Sequence, residues 1–99
     1  MPYITQEKRE SLSHSIDVLV ALLTNGDGLE GKLNYTISSI ISGILKIEGI
    51  NYTNLNKLIG VLECAKLELY RCVASPYEDL KLEENGDVYF GSQNKGVVV

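Results

Sequence analysis

Between Asn54 and Tyr89 the chain reads NLNKLIGVLECAKLELYRCVASPYEDLKLEENGDVY, an amphipathic run at helical spacing that meets Pro76 and then an Asn-Gly pair. This segment restricts the fold most, because a long amphipathic helix must lay its apolar face on something. Leu55, Leu58, Ile59, Leu62, Ala65, Leu69 and Val73 supply the buried seam of the predicted helix, and Thr53 or Asn54 caps its start. Pro76 predicts a stop soon after Ala74, since the residue before a proline is pushed away from the helical region. Beyond it the period changes. Leu80, Leu82 and Glu84 alternate before Asn85-Gly86, and Val88 and Phe90 alternate after it, which predicts a two-residue type I′ hairpin. A lone hairpin is marginal in water, so it should dock on the helices or pair with another subunit.

Two further helices precede this segment. Thr5 is the expected N-cap of the first, over Gln6 to Leu23, with Leu12, Ile16, Leu19, Val20 and Leu23 at helical spacing. The run from Thr24 to Gly31 holds three glycines and several turn formers and predicts a loop. Helix two should span Lys32 to Ile47, with Leu33, Ile37, Ile40, Ile41, Ile44 and Leu45 as a wide apolar face. On its other side Asn34, Ser38 and Ser42 form a stripe at i, i+4 and i+8 beside Tyr35 and Ser39. Such a stripe suits either a helix–helix contact or a hydrogen-bonding wall for a polar ligand. Gly43 and Gly60 sit inside helices at a cost of about 1 kcal/mol each relative to alanine. They suggest close backbone approach, of another helix or of a ligand.

The expected fold is therefore mostly α: a three-helix domain with a short C-terminal β-hairpin over residues 1–90, and a flexible tail over 91–99. With 99 residues there is room for one domain and no second core. A domain this small buries a modest share of its surface, so a homo-oligomer is expected. Nine Lys/Arg stand against thirteen Asp/Glu, and the net charge of −4 opposes a pull toward DNA, RNA or an anionic bilayer. The N-terminus has no signal-peptide core, and no run of about 18 apolar residues occurs, which predicts a cytosolic protein without a membrane span. Cys64 and Cys72, about 12 Å apart along a helix axis, are too far apart for a mutual disulfide and should be reduced, half-buried thiols. His14 is the one histidine, no CxxC or HxxxH spacing occurs, and neither a metal nor a cofactor is expected.

The densest polar and aromatic cluster is Tyr70-Arg71 followed by Tyr77-Glu78-Asp79. Arg71 offers a planar fork of donors suited to phosphate, and tyrosines offer faces for a base and hydroxyls for a ribose. An Arg–carboxylate pair that pins the tail to the helix explains the same residues. Glu63, Lys66 and Tyr70 share one helix face and form either a polar strip leading to Arg71 or a solvated face with an ion pair. Lys8 and Arg9 oppose the dipole of the first helix, a weak pointer to an anionic partner. Ser11, Ser13, His14, Ser15 and Asp17 are crowded on one helix that directs them to different sides, and Glu63, Glu68, Glu78 and Asp79 show no pairing across a substrate. No enzyme is expected.

Pro2-Tyr3-Ile4, Leu33-Asn34-Tyr35, Gly60-Val61-Leu62-Glu63-Cys64, Lys66-Leu67-Glu68, Tyr70-Arg71, Pro76-Tyr77-Glu78-Asp79 and Glu84-Asn85-Gly86-Asp87-Val88-Tyr89 carry a resemblance. The chain resembles a small family of phage and bacterial proteins that begin MPYI and close with PYED and ENGDVY. The resemblance covers about nine-tenths of the chain and implies a phage or prophage setting without an established reaction. Cys72 stands where a second basic residue is expected, which weakens a paired-arginine phosphate clamp.

By analogy with small helical phage proteins that trap messengers of host defence, the expected function is sequestration of a cyclic dinucleotide or cyclic ADP-ribose isomer without turnover. The expected ligand-binding residues are Tyr3, Asn34, Tyr35, Glu63, Lys66, Tyr70, Arg71, Tyr77 and Glu78. Tyrosines would stack the base, Arg71 and Lys66 meet phosphates, and Asn34 or Glu63 read ribose hydroxyls, in a pocket most easily built between subunits. The alternative is a protein-interaction module that inhibits a host factor.

Overall fold

The computed structural model describes residues 4–89. Tyr3, the far side of the expected hairpin at Phe90, and the expected tail over 91–99 lie outside the described residues. The chain divides into two units, Met1–Ile50 and Asn51–Val99.

In the first unit, helix α1 is Gln6–Leu23 and helix α2 is Leu29–Glu48. Thr5 caps α1 as expected: its backbone is extended and its hydroxyl oxygen accepts from the Lys8 amide at 3.4 Å. At the other end the Thr24 amide and hydroxyl both donate to the Val20 carbonyl. The connection is shorter than the expected loop. Gly28 adopts φ 82°, in the left-handed region open to glycine, and its carbonyl accepts from the Lys32 amide at 3.0 Å. Leu29, Glu30 and Gly31 therefore join the first turn of α2, where Glu30 suits the positive end of the helix dipole. The Lys32 ammonium reaches back to the Asn25 carbonyl at 2.8 Å and ties the turn to the helix.

The second unit is helical from residue 52 to residue 85. Helix α3 is Tyr52–Leu69, a π segment follows at Tyr70–Ala74, and helix α4 is Ser75–Asn85. Asn51, rather than Thr53 or Asn54, caps α3: its side-chain oxygen accepts from the Asn54 amide at 2.8 Å, and Thr53 and Asn54 fall within the first turn. Leu69, Tyr70, Ala74 and Ser75 all have right-handed helical dihedrals, so the backbone does not break at either junction.

Pro76 does not stop the helix. The Ser75 amide donates to the Tyr70 carbonyl, an i to i−5 bond that makes this turn one residue longer than an α-turn. A proline removes one amide and crowds the carbonyl four residues back. The longer turn shifts the carbonyls ahead of Pro76 off the α register, and the ring sits in the first turn of α4, where a missing amide costs least. The hairpin is corrected with it. Leu80, Leu82 and Glu84 lie in α4, and Gly86, at φ 85°, ends that helix with its amide bonded to the Leu82 carbonyl at 2.8 Å. Asn-Gly serves a helix C-terminus for the same reason that it serves a type I′ turn: glycine accepts positive φ. Among the described residues there is no strand.

Among the described residues none is fully buried, and the expected seams are covered only in part, at Leu19, Leu23, Ile41, Leu45 and Leu58. Leu55 is 37% exposed, Leu62 43%, Ile59 63% and Leu69 62%. Leu12, Ile16 and Val20 on α1 and Ile37, Ile40 and Ile44 on α2 are likewise exposed. Cys64 and Cys72 are free and exposed rather than half-buried. A Cβ built on Gly43 or Gly60 would meet nothing within 4 Å, so the close approach expected there is not formed.

Two substitutions check the helices. Gly60→Ala should raise stability by about 1 kcal/mol, because alanine fixes less backbone entropy in open helix interior. Asn51→Ala should lower it by about 1 kcal/mol through loss of the cap. Denaturant melts read both, and a destabilised Gly60→Ala would contradict the open surface.

Candidate functional site

The expected site residues divide between the units. Asn34 and Tyr35 are on α2 in the first unit, and Glu63, Lys66, Tyr70, Arg71, Tyr77 and Glu78 belong to the second. All eight are exposed. On α2 the Ser38 hydroxyl donates to the Asn34 side-chain oxygen at 3.5 Å, so the expected polar stripe exists as a lightly bonded surface.

In the second unit the π segment controls which residues meet. In a regular helix residues seven apart share a face two turns on. With one extra residue in the turn, Glu78 takes that place relative to Tyr70, and the Tyr70 hydroxyl donates to Glu78 Oε1 at 3.0 Å. The carboxylate beside it pushes the Tyr70 phenol above the usual tyrosine value, chiefly by holding its proton and then by charge.

Each cation of the cluster already has a carboxylate. Arg71 donates to Glu68 Oε1 at 2.8 Å, and the Lys66 ammonium lies 3.1 Å from Glu63 Oε2. Lys81 stands 5.6 Å from the centre of the Tyr77 ring and 3.2 Å from Glu84 Oε1. The Arg71 guanidinium, and next the Cys72 thiol at 3.5 Å, hold the Glu68 carboxyl below its usual value. The neutralised surface offers a phosphate little net positive charge, and a ligand would have to displace Glu68 to claim the fork of Arg71. A shallow open depression at the end of α4 is lined in part by Glu78, Lys81, Asn85 and Tyr89, but not by Arg71 or Lys66.

Glu68, Lys81 and Glu84 are thus partners that the choice of site residues missed. Their signal was the i, i+3 spacing of opposite charges on a helix surface. On α1 the Ser11 and Ser13 hydroxyls donate to the Lys8 and Arg9 carbonyls, which engages them with their own helix.

The described residues make a small, mostly helical protein whose polar cluster lies on its surface. The family model described as Domain of unknown function (DUF6899) matches residues 1–88, and the chain belongs to that family. No curated protein and no solved structure matches the chain. Among the described residues no helix is long and apolar enough to cross a membrane.

The Tyr70 contact has a measurable sign. A phenol raised in the folded state contributes stability that is fully present below the usual tyrosine value of about 10 and is lost as pH rises through the folded value. Glu78→Gln should bring the ionisation of Tyr70 back toward the usual value, read as the phenolate absorbance that disappears in Tyr70→Phe. An unchanged titration would show that the two side chains do not meet.

Proposed function

We propose that this protein is a non-catalytic binding protein of the cytosol that works as a homo-oligomer and acts by protein–protein association through its helix faces, as an inhibitor of a host factor would in a phage or prophage setting. The observation that carries this is the set of apolar faces on α1, α2 and α3 without a single buried residue among those described. Apolar surface left open in this way characterises interaction sites. The supporting chemistry is also negative in sign: the net charge of −4 favours basic or neutral protein partners over nucleic acid.

Capture of a cyclic dinucleotide or cyclic ADP-ribose isomer is a second reading, favoured by the contact of the Tyr70 hydroxyl with Glu78 across the π segment. Tyrosine faces there could stack a base, and oligomer formation could enclose a site that one chain leaves open.

A thermal-shift series against cyclic dinucleotides, cyclic ADP-ribose isomers, NAD and mononucleotides separates the two. Protein–protein action predicts no shift with any of them. Nucleotide capture predicts stabilisation of about 2.7 kcal/mol at ligand 100-fold over its dissociation constant, abolished in Arg71→Ala without a lower melting temperature for the free protein. A clear shift with that mutant pattern would replace the first proposal with the second.

A further inference from the structure

On α3 the positions Leu55, Leu58, Leu62, Ala65 and Leu69 follow one another at steps of three, four, three and four. That is the a and d spacing of a coiled-coil seam, whose repeat averages 3.5 residues. Continued without interruption, the same register would place Cys72, Pro76, Asp79 and Glu83 on the seam, and the apolar face would end. The π segment adds one residue to the turn between Tyr70 and Ala74. With that residue accommodated, the seam positions become Val73, Tyr77 and Leu80, which are 59%, 58% and 58% exposed. The irregular turn thus keeps one apolar face running from Leu55 to Leu80, across a proline.

We propose that this face is where a second copy of this chain docks, with α3 and α4 of the two copies parallel and in register. The proposal rests on the homo-oligomeric part of the proposed function and locates its interface.

Area and charge both point to a second copy. The seam residues still show about half their surface, and covering each removes on the order of 50 Å². With the flanking Ile59 and Val61, two copies reach about 1,000 Å², the size from which specific interfaces start. No charged side chain lies on the seam between Leu55 and Leu80, so each copy offers the other a neutral surface. The rows beside it differ in sign. Lys66 and Lys81 occupy e positions, and Glu68 and Glu83 occupy g positions. Antiparallel helices would set e against e and g against g, with like charges facing, whereas parallel helices set each e row against the partner's g row and avoid that repulsion. The parallel arrangement also buries Tyr77 with the stem of Lys81 beside it, in keeping with the cation over that ring.

The test is the solution mass of the full chain by sedimentation equilibrium, with variants. The wild type should be a dimer, Leu62→Asp and Leu80→Asp should lose it, and Ile40→Asp on α2 should keep it. In a Cys64→Ser, Cys72→Ser background, Ala65→Cys should cross-link to its own copy on mild oxidation. The cross-link introduces no charge and reads the interface even if Leu62→Asp unfolds. A monomeric wild type overturns this inference and the oligomeric reading together. A dimer that survives Leu62→Asp and Leu80→Asp but not Ile40→Asp overturns the α3 seam alone. A dimer without the Ala65→Cys cross-link overturns the parallel register.

Discussion

A helix satisfies its own backbone but cannot cover its own apolar face. The described helices form their internal hydrogen bonds, and local groups close several of their ends, Thr5 and Asn51 at two N-termini and Gly49 and Gly86 at two C-termini. What the described chain lacks is apolar burial. Isolated helices of this length are marginal in water, and most helical stability in proteins comes from packing. The open faces are therefore the constraint on which the account turns: helices of this length need apolar cover, and the proposed association with another chain or another copy would supply it.

The π segment is where this constraint meets the sequence. Pro76 asks for a break, and the apolar spacing asks for one continuous face. A turn closed by the bond from the Ser75 amide to the Tyr70 carbonyl answers both, since the added residue moves the backbone away from the proline ring while realigning the side chains beyond it. The same realignment brings the Tyr70 hydroxyl to Glu78. One backbone irregularity thus places both the polar cluster and the downstream half of the apolar face.

Local rules made α1 legible residue by residue, because Thr5 and the spacing from Leu12 to Leu23 are signals that need no tertiary context. They failed where one residue pattern has two solutions. Asn85-Gly86 suits a hairpin turn and a helix end alike, and Leu80, Leu82 and Glu84 are too few to separate alternation from helical spacing. Gly28 extended α2 by taking a left-handed conformation that let Leu29 to Gly31 join the helix. In the candidate site the clustering of Tyr70, Tyr77 and Glu78 was legible from composition. The sequence offers Arg71 either a phosphate or a carboxylate of the tail; the structure gives it Glu68, three residues back on the same helix surface, a pairing that the i, i+3 spacing made available.

Thermal unfolding followed by circular dichroism over a wide range of protein concentration tests the central claim most directly, because only association makes stability depend on concentration. If the helices depend on a second copy, the melting temperature rises steadily as the protein is concentrated. A sharp transition at one temperature throughout the range would show that a single chain is stable by itself, and would contradict the account.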